Sequence, residues 1–151
     1  MREAAIYYFA YTARIAPEMM TEVAPGAQFQ FIAHLSEWRL DFPINGNGWE
    51  GALPNVAPAP GSTVWGAVFE VPDTEAAALH SVEGDEGRTA SVVEAIDRMG
   101  KRHDVVTHVF AGTDEVAAEP SPEYLDFMLR GSRHWELPAG WIAGLEEHLE
   151  P

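Results

Sequence analysis

Residues 63–71 read Thr-Val-Trp-Gly-Ala-Val-Phe-Glu-Val and are closed by Pro72-Asp73. Branching at Cβ crowds the preceding turn of a helix but suits a pleated surface, so this run predicts a central β-strand. A lone strand is not stable in water, and the chain must supply partners for it. Residues 4–11 are apolar and aromatic without alternation, which predicts a strand buried on both faces and ending near Tyr11. Between residues 28 and 42, Phe29 and Phe31 alternate with Gln28 and Gln30. Trp38, Leu40 and Phe42 alternate with Arg39 and Asp41. A period of two marks half-buried strands. Asn45-Gly46-Asn47-Gly48 predicts a turn, and Trp49–Leu53 a further short strand. Pro54, Pro58 and Pro60 predict a break after it, with a turn at Pro60-Gly61. Residues 90–97 and 104–111 predict a hairpin turning near Gly100.

Helical signals fall between these strands. Ile15–Met20, with Pro17 inside it, predicts a helical turn or short helix. Asp73 predicts an N-cap for a helix running to about Val82, because its carboxylate can accept from exposed first-turn amides. The alanine-rich stretch Glu75–Leu79 favours helix. Ser121-Pro122-Glu123 combines a capping hydroxyl, a proline at the first helical position and an acid in the first turn. Tyr124, Leu125, Met128 and Leu129 follow on one face. Trp141, Ile142, Leu145 and Leu149 predict a closing helix. The element order is that of an α+β fold: a small mixed or mainly antiparallel sheet, closed into a barrel-like form, with flanking helices. Proline and glycine recur at short intervals and no linker interrupts them, so residues 1–151 read as a single domain.

Composition narrows the function. The chain has 151 residues, no cysteine, 9 Lys+Arg against 24 Asp+Glu and a formal net charge of −15. Thiol chemistry, disulfides and thiolate metal sites are excluded. A charge of this sign opposes binding to nucleic acid or to anionic membranes, both of which need clustered cations. No run approaches the roughly 18 apolar residues of a membrane helix. Met1-Arg2-Glu3 leads into an aromatic run rather than a signal-peptide core, so the expected location is cytoplasmic. His34, His80, His103, His108, His134 and His148 show no metal-ligand spacing, and no metal is expected.

Two places carry potential chemistry. Glu83 sits in Ser81-Val82-Glu83-Gly84, read as the end of a helix with a left-handed turn at Gly84. A carboxylate there faces the negative end of the helix dipole, where its charged form is costly and proton transfer is favoured. Spacing alone fits equally an exposed acid at a helix end. Tyr11-Thr12-Ala13-Arg14-Ile15 links the first strand to a helical turn. Its amides suit an anion, and Arg14 suits a carboxylate. An ordinary connection with a surface arginine fits that spacing as well.

Several segments together resemble the gamma-glutamylcyclotransferase-like family, in family order and over nearly the whole chain. Tyr8-Phe9-Ala10-Tyr11 resembles the family's opening strand. Trp38-Arg39-Leu40-Asp41-Phe42 resembles its Leu-x-Phe strand, and Trp49-Glu50-Gly51-Ala52 its Trp-x-Gly-Gly segment. Val64-Trp65-Gly66-Ala67-Val68 resembles its Val-Trp-Gly-Val strand. Leu79 through Glu83-Gly84 resembles the Leu-Asp-x-x-Glu-Gly segment that carries the family's catalytic glutamate. Pro120-Ser121-Pro122-Glu123-Tyr124, then Gly131 and Leu137-Pro138, resemble the closing helix and its exit.

The resemblance implies a barrel-like sheet with flanking helices. The implied reaction is cofactor-independent: a gamma-glutamyl amide cyclises by intramolecular aminolysis, releasing 5-oxoproline and an amine. It further implies Glu83 as general acid/base, Tyr11, Thr12, Ala13, Arg14 and Ile15 as the loop that holds substrate, and Tyr124 lining the pocket. The implied partner is a small molecule, not nucleic acid or membrane, and a homodimer is compatible with it. Thr12-Ala13-Arg14 stand where the family has Gly-Ser-Asn. Asp85-Glu86-Gly87-Arg88 stand where a Tyr commonly follows the glutamate, and the two extra acids are expected to repel Glu83. His108 lies near a position where members often carry a strand Tyr. A second reading is a non-catalytic protein on the same fold that binds a small acidic metabolite or serves as an interaction module.

Overall fold

A computed structural model describes residues 4–45, 49, 51–112 and 119–149. Five strands form a closed barrel: β1 (Ala5–Ala10), β2 (Gln28–Asn45), β3 (Ala52–Pro72), β4 (Thr89–Asp97) and β5 (Arg102–Val109), in the spatial order β1-β3-β2-β4-β5. All neighbours are antiparallel except β1 and β5, which run parallel with Tyr8 opposite Val106. The second half of β1, Tyr8–Ala10, is buried on both faces as its unbroken apolar run predicts, whereas Ala5 and Tyr7 in the first half are exposed. Phe9 and Tyr11 join Leu35, Val64, Val68 and Val105 in one cluster. Tyr8 and Ala10 join Ile15, Met20, Leu79 and Leu137 in another.

The prolines do not break β3, which runs on from Ala52 to Pro72. They sit where its register against β2 slips, between Ser36 and Trp38 and again between Asp41 and Ile44. Ser36 pairs with Thr63 and Trp38 with Pro58, so residues 59–62 face Glu37 alone. That bulge needs left-handed backbone at Glu37 (φ 67°) and Gly61 (φ 81°), and the Gly61 N–H donates to Glu37 Oε2 at 2.7 Å. Pro54 falls in the second slip. At such places a missing N–H costs no ladder hydrogen bond. The Asn45–Gly48 turn lies outside the described residues apart from Asn45, the last residue of β2.

Four helices flank the barrel: α1 (Pro17–Val23), α2 (Asp73–Asp85), α3 (Pro122–His134) and α4 (Ala139–Glu146). A 3₁₀ turn at Ala13–Ile15 precedes α1 and another at Glu147–Leu149 follows α4. Ser121 caps α3 as read from sequence, accepting from the Tyr124 N–H at 3.1 Å. The α2 expectation needs correction at both ends. Pro72 occupies the N-cap, Asp73 is already helical, and its N–H is held by the Ala4 carbonyl at 3.0 Å. At the other end α2 continues past Val82 to Asp85. Glu83 therefore lies inside the last turn, and the left-handed glycine is Gly87 (φ 95°) rather than Gly84. The extra turn follows from main-chain bonding: the Glu83 carbonyl accepts from both the Glu86 and Arg88 N–H groups at 3.1 Å, which ties off the helix end.

Candidate active site

β1 delivers the chain to the site. Its last turn outward is fixed by Tyr11, whose hydroxyl donates to the His108 carbonyl at 2.5 Å. Thr12 is extended and caps the 3₁₀ turn: its Oγ1 accepts from the Arg14 N–H at 3.3 Å and donates to Glu83 Oε1 at 3.0 Å. One hydroxyl thus couples the loop to the helix that carries the acid. The turn is seated on α3, where Gly131 leaves room for it. A Cβ on Gly131 would lie 2.5 Å from the Ile15 carbonyl carbon. The Trp135 indole N–H donates to the Ile15 carbonyl at 2.8 Å.

Glu83 has no solvent exposure. Its Oε2 accepts from Arg88 Nη1 at 2.7 Å, and Arg14 Nη1 lies 3.6 Å from its Oε1. Arg88 is itself 2% exposed and is pinned from the other side, with Nε and Nη2 both donating to the Pro54 carbonyl at 3.0 and 2.6 Å. A buried carboxylate alone would be very costly, and these cations with the Thr12 hydroxyl offset that cost. Glu86 does not simply repel Glu83 as expected. It shares the same cations, accepting from Arg14 Nη1 at 3.2 and 3.0 Å and from Arg88 Nη1. Asp85 is exposed.

The electrostatics follow from this packing. Burial is the largest single influence and works against the charge on Arg14 and Arg88, but Glu83 and Glu86 together with the neighbouring phenols outweigh it and hold both guanidiniums more basic than usual. Burial pushes the Tyr124 phenol up to about 12 and the Tyr11 phenol higher still. Both phenols are therefore neutral hydrogen-bonding groups near neutral pH. Burial, and then His80, pull His108 down to about 4. His108 Nε2 meets His80 Nδ1 at 2.8 Å, and its Nδ1 lies 3.4 Å from the Tyr8 hydroxyl.

Of the residues singled out in the sequence, Glu83, Thr12 and Arg14 come together directly, and Tyr124 joins through Ala13, whose N–H donates to its hydroxyl at 3.2 Å. Ile15 turns away from the charged group and packs in the hydrophobic cluster with Met20 and Leu79. The loop amides are occupied: Ala13 N–H by Tyr124, Arg14 N–H by Thr12 Oγ1 and Ile15 N–H by the Thr12 carbonyl at 3.1 Å. Arg88 was not singled out as a site residue. The available signal was its place just after the glutamate in a chain with only 9 basic residues. Among the described residues no group of three His, Asp or Glu side chains is arranged to hold a metal. No helix there is long and apolar enough to cross a membrane.

The model of the AIG2-like family matches residues 63–145, more than half of the chain. The chain belongs to the AIG2-like family. Gamma-glutamylcyclotransferase from Homo sapiens is 27% identical to this AIG2-like protein over 154 residues, covering 99% of this chain and 81% of the relative. The Mus musculus gamma-glutamylcyclotransferase is also 27% identical, covering 95% and 78%. Among solved structures, a gamma-glutamyl cyclotransferase superposes with a TM-score of 0.88 at 25% identity, over 95% of this chain and 87% of that one. YkqA from Bacillus subtilis shares the fold, with a TM-score of 0.80 at 19% identity, over 97% of this chain and 55% of its own. The barrel with flanking helices read from the sequence is the fold of these relatives.

Proposed function

We propose that this AIG2-like protein is a cofactor-independent gamma-glutamylcyclotransferase-like enzyme whose proton-transfer group is Glu83. The observation that carries the reading is a fully buried carboxylate hydrogen-bonded to Thr12, at the exit of β1, in a chain similar throughout to gamma-glutamylcyclotransferases. Burial between β1, α2 and α3 excludes bulk water, which would otherwise compete with the substrate's amine.

The substrate's own alpha-amine is the nucleophile. Glu83 takes a proton from the ammonium, and the amine attacks the gamma-carbonyl carbon, forming the new C–N bond of the ring. The tetrahedral intermediate collapses with cleavage of the original amide C–N bond; Glu83 returns its proton to the departing nitrogen, then takes the second proton from the new ring nitrogen and passes it to the released amine, which leaves as its ammonium. The products are 5-oxoproline and a free amine, with no net uptake of protons or water. Folding the substrate so that amine and carbonyl meet supplies much of the acceleration. Arg14 holds the alpha-carboxylate. Tyr124 shapes the pocket, and an incoming ligand oxygen replaces its hydroxyl on the Ala13 N–H, the loop amide whose present partner comes from another element. A small gamma-glutamyl compound as the partner, with a homodimer compatible with it, and a cytoplasmic site of action belong to the same reading.

The test is release of 5-oxoproline and free amine from gamma-glutamyl dipeptides and gamma-glutamyl amines by the full chain. Glu83→Gln lowers turnover by roughly 10²–10⁴-fold while unfolding remains cooperative. A wild-type chain that binds such compounds and releases nothing is a binding protein, and the enzyme reading fails.

A further inference from the structure

We propose that Glu86 occupies the place of a ligand carboxylate on Arg14, and so sets the affinity of the site for anionic ligands. This rests on the reading of Arg14 as the carboxylate holder. The pairing of Arg14 with Glu86 is a half-match. Both Glu86 oxygens accept from the single nitrogen Nη1, which also faces Glu83. Nε of Arg14 is buried and has no hydrogen-bond partner, in a side chain only 8% exposed. A carboxylate that fits a guanidinium takes two parallel N–H groups, and a buried N–H left unpaired is costly. An incoming carboxylate that engages Nε with a terminal nitrogen removes that cost, which the resident Glu86 does not.

The structure also shows which carboxylate gives way. Glu83 is enclosed, bonded to Thr12 and Arg88, and lies within α2. Glu86 is the residue just beyond that helix, its side chain 11% exposed, and it precedes Gly87 with its left-handed backbone. Arg88 cannot follow a ligand, because Nε and Nη2 are fixed to the Pro54 carbonyl. Its Nη1 continues to hold Glu86 after Arg14 lets go. The four charges of Arg14, Arg88, Glu83 and Glu86 sum to zero. A zwitterionic ligand suits such a group: its carboxylate replaces Glu86 on Arg14 and its ammonium meets Glu83.

An apparent affinity is reduced by the fraction of protein whose site is already filled, so removing the resident competitor raises it. The experiment is calorimetric titration of the full chain with 5-oxoproline and with 2-pyrrolidinone, the same ring without the carboxylate. Glu86→Gln is expected to tighten 5-oxoproline by between about fivefold and about thirtyfold and to leave 2-pyrrolidinone unchanged. Glu86→Asp, one methylene shorter and still charged, is expected to fall between wild type and Glu86→Gln, and it serves as the second variant if the amide perturbs folding. Arg14→Gln removes the preference for the carboxylate in both backgrounds. Unchanged or weaker 5-oxoproline binding by Glu86→Gln, in a chain that unfolds normally, overturns the proposal. If that happens while wild type releases 5-oxoproline from gamma-glutamyl dipeptides, the catalytic reading of Glu83 stands alone. Tighter carboxylate binding in a chain that never turns over has the opposite meaning: the subsite is real and the cyclotransferase reading is lost.

Discussion

Arg88 spends four hydrogen bonds on three residues: two to the Pro54 carbonyl and one each to Glu83 and Glu86. Removing one partner of such a buried pair typically costs about 3–5 kcal/mol, since the other charge is left uncompensated. Exposed pairs such as Arg102 with Glu94 contribute far less, being solvated in both states. In the sequence, the two arginines look alike. Only the fold tells them apart, because Pro54 reaches Arg88 from the far end of β3. Glu83 and Arg14 were legible because each stands at a junction of elements. His108 makes a second buried polar contact, and it titrates. Its ordinary value is 6.5 and the folded protein holds it at about 4, so the unfolded chain binds the proton more strongly between those values. Its contribution to stability is complete above pH 6.5 and is lost as the pH falls toward 4, up to about 3 kcal/mol. Protonating both rings would also set N–H against N–H across the 2.8 Å contact with His80. Urea unfolding of wild type is expected to weaken steadily from pH 6.5 to 5, with a flatter profile for His108→Phe. Parallel profiles for the two proteins would assign the loss to other groups.

At the scale of elements, the loop that holds the candidate substrate site is set by how closely its 3₁₀ turn approaches α3. Gly131→Ala would place a methyl 2.5 and 2.6 Å from main-chain atoms of Ile15 and Ala16, and main chain yields only by moving the whole turn. The expected loss is about 1–3 kcal/mol of stability, accompanied by lower turnover because Thr12 leaves Glu83. Gly84 is the contrasting case. It directly follows Glu83, yet its backbone is helical and a Cβ there meets nothing within 4 Å. Gly84→Ala is therefore expected to stabilise by about 0.4–1 kcal/mol with turnover retained. Urea unfolding combined with 5-oxoproline release measures both. A Gly84→Ala chain that loses activity would show that the helix end must move during the reaction. The elements themselves were readable from period and punctuation, and β1, the hairpin of β4 and β5, and α3 lie close to where those signals put them. The course of β3 through its prolines was not readable. A proline marks a break when the ladder needs its N–H, and that need depends on the register of β2, which local sequence does not contain.

The whole molecule carries a formal charge of −15, and like charges on a compact body repel more strongly than on an expanded chain. Raising sodium chloride from low concentration to about 0.15 M is expected to raise the thermal midpoint, because screening relieves that repulsion while the enclosed ion pairs are little affected. A midpoint that falls with salt would mean that exposed pairs such as Arg130 with Glu18 and Asp126 dominate instead. The likeness to gamma-glutamylcyclotransferases was legible at this scale because segments spread along the chain kept a common order, although each was weak alone. The barrel closes where β1 meets β5, and there the Tyr11 hydroxyl reaches the His108 carbonyl across 97 residues of chain, beside the Thr107 hydroxyl on the Phe9 carbonyl. During synthesis, β1 leaves the ribosome long before the strand that completes its pairing, and α3, which seats the loop, comes later still. Nascent chains therefore lack the assembled candidate site until the segment that forms α3 has emerged.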